Sequence, residues 1–431
     1  MTYRDTIDYL YRQLPMFQRV GPVAYKKDLT NTLALCEHLG NPQHRFRSIH
    51  VGGTNGKGSV SHMLAAICQA AGLKTGLYIS PHYKDFRERI KINGKYIPQR
   101  RVVDFAQKNL EQIEAIQPSF FELCVAMAFD HFAREQVDVA IVEVGLGGRL
   151  DSTNIITPLL SVITNISYDH QNMLGDTLPE IAGEKAGIIK PGVPVVIGET
   201  QPESAPVFEK KAKETGAPII FADRHFETVE EDTTHWKSSH YRVLKNKKPY
   251  LEDLEVDAAG PFQARNVATV LQAWEVLQST DLPKMPDSAA LRTGLARLRS
   301  LTGFMGRWQI IGSEPTVLCD SAHNEAGLRM AFERILTMPF RRLHIVTGFV
   351  NDKEVTKVLG YFPEKARYYF AKANIPRGLE ATLLREKAAG FGLQGRAYTS
   401  VRNALKAARH AAEPEDLIVF IGSIFVVAEV L

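Results

Sequence analysis

Along most of the chain, short apolar runs alternate with longer amphipathic stretches, the pattern of a parallel sheet with crossover helices. Residues 47–51 read as a strand, followed by a glycine-rich turn and a helix over about residues 57–71. Further strands are expected at 75–80, 137–144, 159–164 and 193–197. The run at 137–144 is almost continuously apolar, as a strand covered on both faces requires. Residues 226–254 are polar and charged and read as an excursion of hairpins. A second α/β series follows the glycine-containing segment 301–306, with strands at 316–319, 343–347, 367–370 and 417–421. The fold class expected is therefore α/β: a phosphate-loop-type, mostly parallel sheet domain over 1–300, and a smaller Rossmann-like domain over 301–431.

Composition narrows the class. The 431 residues are too many for one ordinary core, and 45% hydrophobic with 23% charged residues is the balance of a soluble globular protein. Cys36, Cys68, Cys124 and Cys319 are widely spaced, which argues against a disulfide framework or a thiolate metal site and fits a reducing compartment. The polar, amphipathic start has no apolar signal region, and the longest apolar stretch, 417–428, has about 12 residues where a bilayer span needs roughly 20. It reads as a buried strand running into a buried helix, and a cytoplasmic protein without membrane association is expected. A net charge of +4 is small for this length. Two basic clusters, Arg87, Arg89, Lys91 and Lys95, and Lys245, Lys247 and Lys248, read as solvated surface, lacking the dense stripe and aromatics of a nucleic-acid binder.

The strongest local signal for chemistry is Gly52-Gly53-Thr54-Asn55-Gly56-Lys57-Gly58-Ser59, set between a strand and a helix. Glycines let successive N–H groups turn toward an anion, the helix N-terminus adds its positive dipole end, and Lys57 would reach the β- and γ-phosphates. The strict phosphate-loop pattern is not met: Val51 and Gly58 occupy its first glycine and hydroxyl positions, and Ser59 follows one place late. Kinase and nucleotide-switch readings both expect the strict form. Glu143 near the end of an apolar strand is costly unless paired or bound to a metal, and at a strand's C-terminal edge beside a phosphate loop it suits Mg²⁺. Ser80 and His170 also follow apolar strands, and such strand ends converge on one crevice in an open parallel sheet. A histidine is an unusual ligand for so hard a cation, so chemistry alone would not select His170.

Together these residues resemble the folylpolyglutamate synthase and dihydrofolate synthase family, within the Mur ligase superfamily. The resemblance spans nearly the whole chain: residues 53–59 with the late hydroxyl, Ser80-Pro81-His82, Glu88-Arg89-Ile90, Glu143 to Asn154 (EVGLGGRLDSTN), Asp169-His170, Gly183-Glu184-Lys185-Ala186-Gly187, Arg265-Asn266, Gly306-Arg307 and Asp320-Ser321-Ala322-His323-Asn324. It implies that Thr54, Asn55, Gly56, Lys57, Gly58 and Ser59 hold ATP phosphates and that Asn266, Arg307 and Asp320 contact the nucleotide, with His323 close by. It also implies that Ser80, Glu143 and His170 bind Mg²⁺, two ions being expected. Lys185, which by itself reads equally as a surface lysine on a helix, matches a lysine that is carbamylated in this family. A carbamate offers the oxygens Mg²⁺ prefers where a cation would repel it. Met305 stands where the family often has proline, and Ser321 fills a variable position; neither alters a ligand.

The implied reaction is ATP-dependent ligation through an acyl phosphate: a pterin-linked benzoate or a folate γ-carboxylate is phosphorylated, then attacked by L-glutamate, with closure of the second domain keeping water out. A bifunctional enzyme acting as a monomer is expected; a single synthase activity or another Mur-type amino-acid ligase are the alternatives. The substrate pocket is expected to draw on Asp28, Leu29, Phe120, Phe121, Glu122, Arg149 and Asp151. Taken alone, Phe120 and Phe121 read as core residues at a helix start.

Overall fold

The computed structural model describes residues 1–16, 21, 28–231, 236–351 and 355–431. It divides into two compact units, one of 1–231, 240–256 and 263–304, the other of 232–239, 257–262 and 305–431.

The first unit is built on an eight-stranded sheet of β1 (Ser48–Gly52), β2 (Thr75–Tyr78), β3 (Ile90–Ile92), β4 (Lys95–Tyr96), β5 (Val139–Glu143), β6 (Leu160–Ile163), β7 (Val195–Ile197) and β8 (Ile219–Phe221). Their spatial order is β4-β3-β2-β5-β1-β6-β7-β8. Neighbours from β2 to β8 run parallel, whereas β3 and β4 are antiparallel at one edge. Every residue of β1, β5 and β6 is buried, which explains their near-continuous Val/Ile/Leu character. Each such side chain contributes about 1.5–3 kcal/mol on burial. The helix Lys57–Ala70 is buried almost all round. Helix Ser288–Ala296 packs so tightly on it that a Cβ at Gly294 would lie 2.7 Å from the Ile67 backbone. The expected hairpins are a three-stranded sheet, β9 (Phe226–Glu230), β10 (Ser239–Lys245) and β11 (Lys248–Val256), in the order β11-β10-β9.

The short run 86–96 overturns a sequence expectation. Its basic residues were read as solvated surface, yet Arg89 is 3% and Lys91 1% exposed. Glu88 accepts from the backbone N–H groups of Tyr83, Lys84 and Asp85, and Lys91 Nζ donates to Thr302 O at 2.8 Å. Charge hid two strands here, because the buried polar groups are satisfied by partners distant in sequence. Lys247 and Lys248 of the other basic cluster are exposed, as expected, while Lys245 is partly buried and pairs with Glu275.

The second unit holds a six-stranded sheet of β12 (Gln309–Ser313), β13 (Thr316–Cys319), β14 (Leu343–Thr347), β15 (Arg367–Ala371), β16 (Gly395–Tyr398) and β17 (Leu417–Ile421), in the order β12-β13-β17-β14-β15-β16. The edge strands β12 and β16 are half-exposed and mixed in character, so no apolar run announces them. The apolar stretch 417–428 is β17 followed by the short helix Ile424–Ala428. All four cysteines are buried and unpaired. Among the described residues, no helix is long and apolar enough to cross a membrane.

Candidate functional site

Four adjacent strands, β2, β5, β1 and β6, send their C-terminal loops to one edge of the first sheet. The loop after β1 carries residues 53–56 and leads into the helix Lys57–Ala70. Gly53 has φ +129°, and a Cβ there would fall 1.9 Å from Thr164 Oγ1; at Gly56 (φ +87°) it would fall 2.3 Å from Asn266 Oδ1. Only glycine fits such conformations against such neighbours. Lys57 Nζ turns back onto its own loop, donating to Gly53 O and Thr54 O, both at 3.0 Å. Gly58 lies at the helix start with Glu143 Oε1 as the nearest atom to its Cβ position, and Ser59 is buried one turn in.

A clamp missing from the sequence reading holds this loop. Asn165 O accepts from Thr54 N at 2.8 Å and Asn165 Oδ1 from Asn55 N at 3.0 Å. Asn165 Nδ2 in turn donates to Glu199, which Arg265 pairs at 2.7 Å. Ser167 N donates to Thr54 Oγ1, and Thr164 Oγ1 donates to Asn55 O at 2.6 Å. The available signal was the one used for Glu143: Asn165 is a polar residue directly after an apolar strand. Asn266 itself, expected at the nucleotide, faces Gly56 and is buried.

Of the expected metal ligands, Glu143 is 5% exposed, and its Oε2 accepts from Ser80 N at 3.1 Å. A buried carboxylate whose other oxygen faces the phosphate loop is a fitting donor for a hard cation. Beside it Ser80 adds a hydroxyl from the loop after β2. His170 sits at φ +51° after the Asn165 loop, with Nε2 3.7 Å from Asp169 Oδ1. Oxygen-rich, with this single imidazole, the set fits Mg²⁺ better than a softer metal. Among the described residues, no group of three or more His, Cys, Asp or Glu side chains is placed to hold a metal ion.

Lys185 ends the helix Leu178–Lys185, is 4% exposed and donates to Gly53 O at 2.9 Å. Burial, reinforced by the Lys57 charge, pulls its amine down to about 7, with Asp169 and Asp151 acting the other way.

Beyond Glu143, β5 runs into Gly145, where a Cβ would collide with the Phe121 ring at 2.4 Å and approach Asp151 Oδ2 at 3.1 Å. Phe121 and Asp151 thus form a wall two residues from the carboxylate that faces the phosphate loop. The two phenylalanines part company here. Phe120 is 2% exposed and packs against Tyr11 and Phe86 with Arg89 over its ring, as a core residue does. Glu122 closes a capping box at the start of the helix Phe120–Arg134, accepting from Ser119 N at 2.5 Å. Arg149 is half-exposed and pairs with Glu184 at 2.8 Å. Asp28 Oδ1 caps Thr30 N before the helix Thr30–His38, and Leu29 is half-buried.

In the second unit, Arg307, Asp320 and His323 come together. Asp320, directly after β13, is 1% exposed and accepts from Trp308 N and Ala322 N, both at 2.8 Å. Burial raises its pKa, opposed first by the Arg307 guanidinium and then by those backbone donors. His323 Nδ1 lies 3.0 Å from Ser321 O, and Ser321 Oγ donates to Gly306 O, tying the loop after β13 to the turn that carries Arg307.

Residues 51–274 match the Mur ligase middle domain and residues 306–424 the Mur ligase glutamate ligase domain. The chain is 33% identical to the folylpolyglutamate synthase of Lacticaseibacillus casei, an alignment covering 100% of this chain and 98% of that protein. It is also 33% identical to the dihydrofolate synthase/folylpolyglutamate synthase of Bacillus subtilis, over 98% of this chain and 93% of the relative. The structure superposes with a TM-score of 0.87 on Mycobacterium tuberculosis folylpolyglutamate synthase complexed with ADP, at 30% identity over 99% of this chain and 97% of that one. For Escherichia coli FolC in complex with DHPP and ADP the TM-score is 0.84, at 29% identity over 100% of this chain and 97% of that one. Family models across both α/β units and end-to-end relatives agree: the chain belongs to the folylpolyglutamate synthase/dihydrofolate synthase family of Mur ligases and is an ATP-dependent, amide-bond-forming ligase.

Proposed function

We propose that this ligase joins L-glutamate to 7,8-dihydropteroate, forming dihydrofolate, and to the γ-glutamyl tail of reduced folates, with ATP converted to ADP and phosphate. The observation that carries it is the run of β5, which sets Glu143 against the phosphate loop and, two residues on, Gly145 under Phe121 and Asp151. A flat heterocycle stacked on Phe121 and hydrogen-bonded to Asp151 would extend its carboxylate toward the ATP phosphates. An acceptor oxygen attacks the γ-phosphorus, the bond to the bridging oxygen of ADP breaks, and an acyl phosphate results. The neutral amine of glutamate then attacks the acyl carbon, phosphate leaves with the carboxylate oxygen, and the amine gives up a proton.

Lys57 exchanges the carbonyls of Gly53 and Thr54 for phosphate oxygens, with Thr54, Asn55, Gly56, Gly58 and Ser59 completing the cradle. Asn266, Arg307 and Asp320 serve the nucleotide, and His323 lies with them. Asp28, Leu29, Arg149, Phe121 and Asp151 serve the acceptor. The Lys185 amine, with its pKa near 7, is poised to add CO₂ and lose a proton, giving a carbamate. Two Mg²⁺ ions, held by Ser80, Glu143, His170 and that carbamate, would neutralise phosphate charge as the phosphoryl group moves. In this reading residues 1–300 bind ATP and acceptor and residues 301–431 form the glutamate ligase part of a cytoplasmic monomer.

The test is phosphate release with ATP, Mg²⁺ and L-glutamate, comparing 7,8-dihydropteroate with tetrahydrofolate. Turnover with both acceptors, lost in Lys57→Ala, is expected. Turnover with one alone would make the enzyme monofunctional, and no glutamate-dependent release with either would overturn the folate assignment.

A further inference from the structure

The carboxylate of Asp151 is not held by its own loop alone. Its Oδ2 accepts from Leu146 N at 2.8 Å, and its Oδ1 accepts from Thr153 N at 3.0 Å and from Thr153 Oγ1 at 2.5 Å. Thr153 Oγ1 also meets His50 Nε2 at 2.8 Å. Thr153 and His50 are both 0% exposed and Asp151 is 2% exposed. His50 lies in the middle of β1, between Val142 of β5 and Ser161 of β6. A histidine at such a position is expensive to bury, and its Nδ1 has no hydrogen-bond partner among the described residues. Nothing in the phosphate-transfer chemistry uses it.

We propose that His50 and Thr153 are positioning residues for the acceptor: a two-bond relay from the centre of β1 fixes the Asp151 carboxylate in one rotamer and one protonation state. A threonine hydroxyl has a single proton, so the chain has only two consistent polarities. In one, His50 Nε2–H donates to Thr153 Oγ1, whose own proton goes to an ionised Asp151. In the other, a protonated Asp151 donates to Thr153, which donates to His50 Nε2. Burial raises the Asp151 carboxyl, opposed first by the Thr153 hydroxyl and then by the backbone N–H groups of Leu146, Thr153 and Gly145, so the donors that converge on it work against burial to hold the ionised form. The second polarity would also place the proton of neutral His50 on Nδ1, leaving a buried N–H without an acceptor. The first polarity therefore holds. Burial, with Lys190 adding a little, pulls the imidazole down to about 3, which keeps His50 neutral and the direction of the relay fixed. Asp151 Oδ1 takes both Thr153 donors, which leaves Oδ2, the oxygen facing the Gly145 wall, as the one to meet an N–H of the acceptor's heterocycle in this reading.

This inference rests on Asp151 contacting the acceptor, and the experiment separates the two. KM for 7,8-dihydropteroate, KM for ATP and kcat are measured for Thr153→Val, Thr153→Ser, Asp151→Ala and the double variant Asp151→Ala/Thr153→Val, with a thermal melt of each. Thr153→Val is expected to raise the dihydropteroate KM about tenfold, leaving the ATP KM unchanged, because one hydrogen bond to a charged group is lost. Thr153→Ser should restore it. In the Asp151→Ala background Thr153→Val should add nothing. Should Thr153→Val fail to fold, His50→Gln, which keeps a donor near Nε2, is compared with His50→Leu; only the latter should raise the dihydropteroate KM. If Asp151→Ala raises that KM but Thr153→Val leaves it alone, or adds its full effect in the double variant, the relay is wrong and the acceptor wall stands. If Asp151→Ala itself leaves the dihydropteroate KM unchanged, both fall.

Discussion

Two lysines of the first unit are buried to nearly the same degree, Lys185 at 4% and Lys91 at 1% exposed, and each donates to a backbone carbonyl. Their surroundings differ. Lys185 sits against the phosphate loop, with the Lys57 charge adding to burial and lowering its amine to about 7. Lys91 lies under the segment 301–303 with Tyr96 beneath its ammonium, and Glu88 partly offsets burial, leaving it at about 8. Burial alone does not set the two apart. A second cation nearby does, because a site that crowds positive charge in a dry place is a site prepared for an anion.

That contrast can be broken at either lysine. The largest effect is expected from Lys185→Ala: kcat should fall by roughly 10²–10³, as when one charge-stabilising group is removed from a reaction centre, with a nearly unchanged melting temperature. ¹³C NMR with labelled bicarbonate should show a carbamate resonance that this variant lacks. A variant retaining full kcat would remove Lys185 from the chemistry. Next comes pH. Only the free amine forms a carbamate, so activity should fall below about pH 7, by up to about tenfold per unit, and level off above it. A flat profile from pH 6 to 8 would argue against the carbamate. At the other lysine the effects are structural. Gly94 has φ +71°, and a Cβ there would lie 2.2 Å from Leu301 O, so Gly94→Ala should cost about 2–3 kcal/mol in denaturant unfolding. Lys91→Met, which leaves Thr302 O without this donor, should cost about 1–2 kcal/mol and leave kcat unchanged. A large loss of kcat in Lys91→Met would erase the distinction between the two lysines.

The same contrast shows how far the sequence could be read. The phosphate loop, Glu143 and the apolar strands were legible because each depends on near neighbours: glycine φ, strand–loop–helix order, and a carboxylate ending an apolar run. Arg89 and Lys91 were misread as surface, since their partners, His82 for one and Thr302 for the other, are set by packing. Phe120 and Phe121 are adjacent and chemically identical. The turn of the helix Phe120–Arg134 sends one ring into the core and the other against Gly145, and no local pattern tells them apart.

By itself the sequence determined the α/β class, the loop that can hold phosphate and the residue types able to bind a hard cation, all of which follow from short-range sterics and hydrophobic periodicity. Only the tertiary structure decided which polar residues are buried and toward what: Asn165 under the phosphate loop, Lys185 on Gly53, and His50 reaching Asp151 through Thr153. A buried polar group must find a partner, and in a doubly wound sheet that partner comes from a neighbouring strand's loop, about 100 residues away in the chain for His50 and Thr153.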